Sequence, residues 1–168
     1  MTEETTPMTF ADLGLPGYQL MVLDELGFKT PTPIQVSAIP PLLAGRDVVG
    51  IAQTGTGKTA AFGLPRLGRL NGNHRGVTAH VLAPPREQAI QTTEALETLA
   101  GPKSMVRMVT VYGGSSSGPQ LRALREGAQV VVGTPGRIMD LIDKGALDLT
   151  SVNTVVLDEA DEMLRMGF

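Results

Sequence analysis

The 168-residue sequence contains no cysteine and no tryptophan, and aromatic residues make up only 4% of it. Without cysteine, neither a disulfide framework nor a thiolate metal site can form, which fits a cytoplasmic protein. No apolar run approaches the roughly 20 residues that a transmembrane helix needs. The start of the chain, Met1–Pro7, is polar and acidic, unlike a secretory signal. We therefore expect a cytoplasmic protein with no membrane partner.

The charge balance gives no indication of a nucleic-acid partner. The formal net charge is −3 and the pI about 5.4, so any such contact must come from local sites. Apolar residues make up 42% of the sequence and charged residues 18%, which is typical of a folded domain. We expect a flexible tail over residues 1–9 and one globular domain over residues 10–168.

One glycine-bearing stretch, Ala52–Thr59 (AQTGTGKT), indicates a phosphate-binding loop. It follows the apolar run Asp47–Ile51 and precedes a helical segment from Ala60. A strand, a glycine loop and a helix N-terminus in this order direct backbone N–H groups and the helix dipole at one point. The usual pattern is G-x-x-x-x-G-K-[ST], and its first glycine is Ala52 here. The alternative is a glycine-rich turn with a solvated lysine.

The residues of this loop have separate expected roles. Gly55 and Gly57 allow the backbone to approach a phosphate closely. Lys58 reaches the outer phosphates as a point charge, and the Thr59 hydroxyl can ligate Mg²⁺. The predicted nucleotide-binding residues of the loop are Thr54, Gly55, Thr56, Gly57, Lys58 and Thr59.

Short β-branched runs alternate with helical segments along the rest of the chain. We predict strands over Val77–Ala83, Met105–Tyr112, Gln129–Gly133 and Thr154–Asp158. We predict helices over Pro16–Leu26, from Pro33 with an interruption at Pro40–Pro41, from Glu87, over Gln120–Glu126 and over Ile138–Lys144. This alternation predicts an α/β fold with a mostly parallel sheet, whose ligands bind at the carboxyl ends of the strands.

The last predicted strand ends in the acidic sequence Asp158-Glu159-Ala160-Asp161. Asp158 would hold Mg²⁺ through its water shell, and Glu159 would polarise the attacking water. Together with Lys58, these two acids form the expected catalytic set for hydrolysis of a nucleoside triphosphate. The alternative is a solvated acidic cap on the helix that follows.

AQTGTGKT, DEAD and the sequence Thr134-Pro135-Gly136-Arg137 (TPGR) together resemble the DEAD-box RNA helicases. Ala52 matches that family's own version of the phosphate loop. The resemblance implies a three-layer RecA-like domain that binds ATP and Mg²⁺. Residues 10–45 correspond to the Q-motif region, in which Gln35 would read the adenine edge and Phe10 would stack on the ring.

The same resemblance implies RNA contacts in three loops. The candidate residues are Arg86, Gly113, Gly114, Thr134, Pro135, Gly136 and Arg137. Such loops hold a single strand by its sugar-phosphate backbone, with little sequence preference. The first loop departs from the family's P-T-R-E-L-A, because Pro85 replaces the threonine and Gln88 the leucine. Proline has neither a hydroxyl nor an N–H donor, so Pro85 is not counted among the RNA contacts.

In the family, a Ser-Ala-Thr strand and a second RecA-like domain follow the acidic motif. The sequence after Asp161 ends at Phe168, so we interpret it as a fragment whose partner is that second domain. An arginine finger from the second domain can be worth about 10³–10⁵ in rate. We expect the fragment alone to hydrolyse ATP very slowly or not at all. Two other hypotheses are a non-enzymatic nucleotide- or RNA-binding module and a DNA-directed relative. Gln35 together with Phe10, and Asp161 as the fourth residue of the acidic motif, argue against the latter.

Overall fold

The computed structural model describes residues 8–53, 55, 57–70, 73, 75–114 and 118–167. The chain divides into two compact units, Met1–Arg69 with Leu99–Gly101, and Leu70–Thr98 with Pro102–Phe168. The first contains a 3₁₀ turn (Ala11–Leu13) and the helices α1 (Gly17–Glu25), α2 (Pro33–Leu43) and α3 (Lys58–Leu67). The second contains β1 (Ala79–Leu82), most of α4 (Arg86–Ala100), β2 (Met108–Val111), α5 (Gly118–Arg125), β3 (Val130–Gly133), α6 (Pro135–Asp143), β4 (Thr154–Leu157) and α7 (Ala160–Arg165).

Helix α2 continues through both of its internal prolines, so the predicted interruption at Pro40 and Pro41 is wrong. The fixed φ of proline suits a helix, and the usual cost comes from its missing N–H and from contact with the preceding turn. Pro40 and Pro41 each remove one backbone hydrogen bond to the preceding turn, and both lie in the last turn of α2, which ends at Leu43. The N–H groups of Ala44 and Arg46 then bond to the carbonyls of Pro40 and Pro41 at 3.1 and 3.0 Å.

The strand predicted before the phosphate loop, over residues 47–51, is not formed. Val49 and Ile51 are 99% and 98% exposed. A strand needs a neighbour to take its backbone hydrogen bonds, and the sheet of the described residues consists of β1 to β4. The prediction was wrong because an apolar run indicates a strand without showing which strand would pair with it.

A parallel sheet in the order β2-β3-β1-β4 forms the centre of the second unit. Val81 of β1 lies opposite Val132 of β3 and Val156 of β4. Strands β1 and β3 are buried along their whole length, as central strands covered on both faces are. Strand β4 is at one edge, and its Val155 and Leu157 are exposed. The predicted α/β fold with a parallel sheet is confirmed.

The helices of the second unit supply the rest of its core. Helix α4 buries Ala89, Thr93 and Leu96. A cluster of buried apolar side chains joins the sheet to α6 and α7, and includes Val111, Val131, Ile138, Leu141 and Met163. The core of the second unit is therefore formed by side chains of the sheet together with side chains of its helices.

Each strand of this sheet is followed directly by one of the predicted site loops. Residues 84–87 follow β1, residues 113–114 follow β2, residues 134–137 follow β3, and residues 158–161 follow β4. Because parallel strands end at the same edge of a sheet, the four loops lie along one edge.

Candidate nucleotide and RNA sites

The described part of the phosphate loop has the backbone geometry that close approach of an anion requires. Gly55 and Gly57 have φ angles of 82° and 83°, in the left-handed region that favours glycine. Gly57 caps α3, which begins at Lys58, and Thr59 is half-buried in its first turn. Thr54 and Thr56 lie outside the described residues. The glycine loop and helix N-terminus predicted from the sequence are thus present, although the preceding strand is not.

Gln35 connects the start of α2 to the phosphate loop. Its side chain is 1% exposed. The Nε2 group donates to the carbonyl of Gly57 at 3.2 Å, and Oε1 accepts the backbone N–H of Thr32 at 2.9 Å. The side chain of Thr32 in turn faces the backbone N–H of Gln35, so the two residues form a capping box at the start of α2. The start of α2 is therefore held against the phosphate loop through one buried amide.

Phe10, predicted to stack on the adenine, is buried in the first unit. It directly precedes the 3₁₀ turn Ala11–Leu13. A base would stack on this ring only after neighbouring side chains move away from it. The role of Phe10 stays a prediction.

The acidic residues lie where β4 passes into α7. Asp158 is 7% exposed, and its backbone N–H bonds to the carbonyl of Leu82 at 2.9 Å. Glu159 has a φ of 53° and is the single non-glycine residue with positive φ in the described part of the chain. Such strained backbone is concentrated at functional sites. Here it turns the chain sharply from the strand into the helix.

The carboxylate of Asp158 is hydrogen-bonded to Gln88, the residue that replaces leucine of the family pattern. Gln88 donates from Nε2 to Oδ2 of Asp158 at 3.2 Å. Both side chains belong to the second unit. The replacement of leucine by glutamine was visible in the sequence, but its partner 70 residues away was not.

The first RNA-loop candidate, Arg86, is the first residue of α4 and is exposed. Its guanidinium lies 4.5 Å from the centre of the Tyr112 ring, a cation–π distance. Tyr112 directly precedes Gly113 and Gly114, which are both exposed. Loops after two different strands are therefore joined through this contact, and Tyr112 is a residue that sequence reasoning missed.

Arg137 is held by side chains of its own unit. It forms an ion pair with Asp140, and its Nε donates to Oε1 of Gln120 at 3.4 Å. Nε2 of buried Gln120 donates to the carbonyl of Tyr112, also at 3.4 Å. Hydrogen bonds from Lys144 and the charges of Lys144 and Arg137 keep the pKa of Asp140 below its ordinary value. A phosphate at Arg137 would have to compete with this carboxylate.

The other residues of the third loop support the start of α6. Thr134 precedes the helix, Pro135 is its first residue, and the backbone N–H of Thr134 bonds to the carbonyl of Val111 at 3.1 Å. Pro135 is buried and Gly136 is exposed. Of this loop, Gly136 is the residue most open to a ligand.

Comparison with known sequences identifies the family. A sequence model described as DEAD/DEAH box helicase matches residues 32–168, which is most of the chain. This chain belongs to the DEAD/DEAH box helicase family. The matched DEAD/DEAH region includes the phosphate loop, all three RNA-loop candidates and the acidic motif.

Curated relatives agree with this assignment. The chain is 55% identical over 164 residues to the ATP-dependent RNA helicase DeaD of Haemophilus influenzae and 54% identical over 160 residues to that of Escherichia coli. The DeaD helicase of Mycobacterium tuberculosis is 51% identical. These matches cover 98%, 95% and 95% of this chain but only 27%, 25% and 28% of those proteins. The chain thus spans about a quarter of the length of these DEAD-box relatives.

A solved structure supports the fold. The crystal structure of a DEAD box protein from the hyperthermophile Methanococcus jannaschii superposes with a TM-score of 0.89 at 44% identity. The match covers 95% of this chain and 44% of that one. The predicted RecA-like α/β fold of the family is therefore confirmed. Among the described residues, no helix is long and apolar enough to cross a membrane.

Proposed function

We propose that this chain binds ATP with Mg²⁺ and the backbone of single-stranded RNA, as part of an ATP-dependent RNA helicase. The observation that carries the nucleotide half is the pair of left-handed glycines, Gly55 and Gly57, immediately before a helix that opens with Lys58 and Thr59. A loop of this form presents backbone N–H groups to phosphate oxygens.

The roles of the nucleotide-site residues follow from their chemistry. Lys58 neutralises charge on the outer phosphates. The hydroxyl of Thr59 and the carboxylate of Asp158 are oxygen donors of the type that Mg²⁺ prefers. Bound Mg²⁺ would neutralise phosphate charge and fix the geometry of the phosphate chain. Glu159 accepts a hydrogen bond from the attacking water and polarises it.

Adenine recognition is assigned to Gln35. An amide offers both a donor and an acceptor, which match the N7 acceptor and the N6 donor of adenine, whereas guanine presents two acceptors, N7 and O6, on the same edge. Since Gln35 bonds to Thr32 and Gly57, a base would be read by an amide already held against the phosphate loop. Gln35 would thus link the site for the base to the loop that binds the phosphates.

The RNA half rests on the three loops after β1, β2 and β3. Exposed Arg86, Gly113 and Gly136 offer a guanidinium and backbone N–H groups to phosphates. The contacts of Tyr112 and Gln120 join these loops to one another. A strand of RNA held across them would be gripped by a preorganised surface.

Unwinding and rapid hydrolysis are assigned to the full-length helicase. There, a second RecA-like domain would close on this one with ATP and RNA between them and supply an arginine finger worth about 10³–10⁵ in rate. The 168-residue chain would therefore bind its ligands and turn ATP over very slowly. A cytoplasmic location stays a prediction from the sequence.

The test is a titration of the chain with fluorescent ATP and GTP analogues in the presence of Mg²⁺. We expect the ATP analogue to bind more tightly than the GTP analogue, and Gln35→Ala to reduce this preference. Lys58→Ala should weaken both, while Lys103→Ala, at an exposed loop position, should change neither. Equal affinity of the unmutated chain for both bases would refute the role of Gln35. Failure to bind either analogue would refute the nucleotide half of the proposal.

A further inference from the structure

The hydrogen bond from Gln88 to Asp158 connects the start of the RNA-loop helix α4 to the acidic end of β4. We propose that Gln88 is a positioning residue for Asp158 and strengthens the effect of Mg²⁺ on nucleotide binding. This inference rests on the proposed function, in which Asp158 holds Mg²⁺ through its water shell. Gln88 itself touches neither the nucleotide nor the metal.

The backbones that carry the two side chains are fixed relative to each other. Strands β1 and β4 pair in parallel with Leu82 opposite Leu157, and the next N–H, that of Asp158, bonds to the carbonyl of Leu82. Ala83 continues β1 by bonding to the carbonyl of Gly133 at 3.0 Å. Helix α4 begins three residues later, at Arg86. The contact between Gln88 and Asp158 is therefore set by the sheet and does not depend on a long flexible loop.

The chemistry of the pair admits one arrangement. An ionised carboxylate only accepts hydrogen bonds, so the amide of Gln88 must present its NH₂ group to Oδ2. Asp158 is buried and Gln88 half-buried, which restricts competition from water. The bond thus limits rotation of the carboxylate plane. An oriented carboxylate loses less freedom when it accepts hydrogen bonds from metal-bound water.

This link depends on the residue that departs from the family pattern. Leucine, which the family usually has at this position, has no donor and would leave Oδ2 without this hydrogen bond. Hydrogen bonds to groups that hold a metal typically change its affinity by about tenfold or more when they are removed. We therefore expect Gln88→Leu to lose part of the response to Mg²⁺ that this chain has.

The experiment measures the affinity of a fluorescent ATP analogue for the 168-residue chain at a series of Mg²⁺ concentrations and in excess chelator. For Gln88→Leu we expect the affinity in chelator to equal that of the unmutated chain. The Mg²⁺ concentration at half-effect should rise by up to about tenfold, since tenfold is typical for the partner of a direct metal ligand and Asp158 acts through water. Gln91→Leu is the matched control, because Gln91 is an exposed glutamine on the same helix. It should leave both quantities unchanged.

A second variant keeps the proposal falsifiable if leucine prevents folding. Gln88→Met preserves the length of an unbranched side chain and removes the donor, and it should shift the Mg²⁺ titration in the same direction. If the unmutated chain responds to Mg²⁺ and the folded variants give the same titration, the role of Gln88 is overturned and the proposed function is not. An unmutated chain that binds no nucleotide overturns the proposed function together with this inference.

Discussion

The Nε2 group of Gln35 lies 3.2 Å from the carbonyl oxygen of Gly57 and donates a hydrogen bond to it. Gly57 is the residue that caps α3, so this bond joins the Q-motif helix to the phosphate loop. A Cβ placed on Gly57 would lie 2.3 Å from the same Nε2. Gly57 therefore meets two separate requirements, a positive φ and space for the glutamine.

We predict that Gly57→Ala destabilises the chain more than Gly55→Ala. Both glycines have positive φ, which costs an L residue about 1–2 kcal/mol. Only at Gly57 must the added methyl also displace Gln35, since a Cβ at Gly55 meets no atom of the described residues within 4 Å. Denaturant unfolding of the two variants measures the difference directly. Equal losses would mean that the contact with Gln35 has no energetic weight.

We predict that Tyr112→Leu weakens binding of single-stranded RNA and that Tyr112→Phe does not. The ring supports Arg86 through its face, and phenylalanine keeps that face while leucine removes it. Arg86→Ala should weaken binding to all sequences alike and lower the slope of log affinity against log salt by about 0.7. Fluorescence anisotropy with two unrelated oligonucleotides at several salt concentrations measures both effects. A loss confined to one sequence would contradict a backbone contact.

We predict that the chain loses stability as the pH falls from about 7.5 to 5.5. His80 is buried on β1, between Val131 and Val155 in the sheet register, and burial lowers its pKa below the ordinary 6.5. The unfolded chain then binds more protons than the folded chain below pH 6.5. Folding therefore becomes less favourable as the pH drops, by at most about 1.4 kcal/mol per pH unit.

The control for this prediction is the second histidine of the sequence, His74. His80→Leu should flatten the dependence of unfolding free energy on pH, whereas His74→Leu should leave it in place. The carboxyl groups of Asp12, Asp24, Asp140 and Asp148 have pKa values below 3.8, so they stay ionised in this window. A dependence that survives His80→Leu would show that burial of this imidazole is not its cause.

The sheet could be predicted from the sequence because three of its four strands, β2, β3 and β4, combine a β-branched run with a following turn. Residues Val130–Val132 and Thr154–Val156 are such runs, and both form strands. The structure shortened the predicted strands at their ends, since pairing, and not composition, decides where a ladder stops. The run at residues 47–51 also contains three β-branched residues but forms no strand. Whether a run forms a strand depends on a neighbouring strand that accepts its hydrogen bonds, and the run itself does not show whether that neighbour is present.

The start of helix α6 was predicted too late, although the sequence contains a clear signal for it. Helix α6 begins at Pro135, three residues before the predicted Ile138. Thr134-Pro135 is a cap residue followed by a proline at the first helical position, the same signal that correctly placed the start of α2 at Pro33. Assigning this sequence to an RNA loop obscured its role in starting a helix. Thr134 and Pro135 thus start helix α6 and also belong to a candidate RNA loop.

The candidate site residues could be found from local motifs, but their partners could not. Lys58, Asp158 and Arg137 stand in short recognisable stretches. The pairing of Arg137 with Asp140 is local, yet its bond to Gln120 and the bond of Gln88 to Asp158 join residues that only the fold brings together. Side chains of ordinary composition, such as Gln120, carry no signal in a single sequence.

The first turn of α4 presents Arg86 to the ring of Tyr112 and Gln88 to the carboxylate of Asp158. A displacement of this turn would alter both contacts at once. If RNA binding at Arg86 changes the affinity for Mg²⁺-nucleotide by some factor, thermodynamic linkage requires that Mg²⁺-nucleotide change the affinity for RNA by the same factor. Arg86 and Gln88 thus provide a route for coupling between RNA and Mg²⁺-nucleotide. The coupling free energy can be measured by titrating either ligand in the presence and absence of the other.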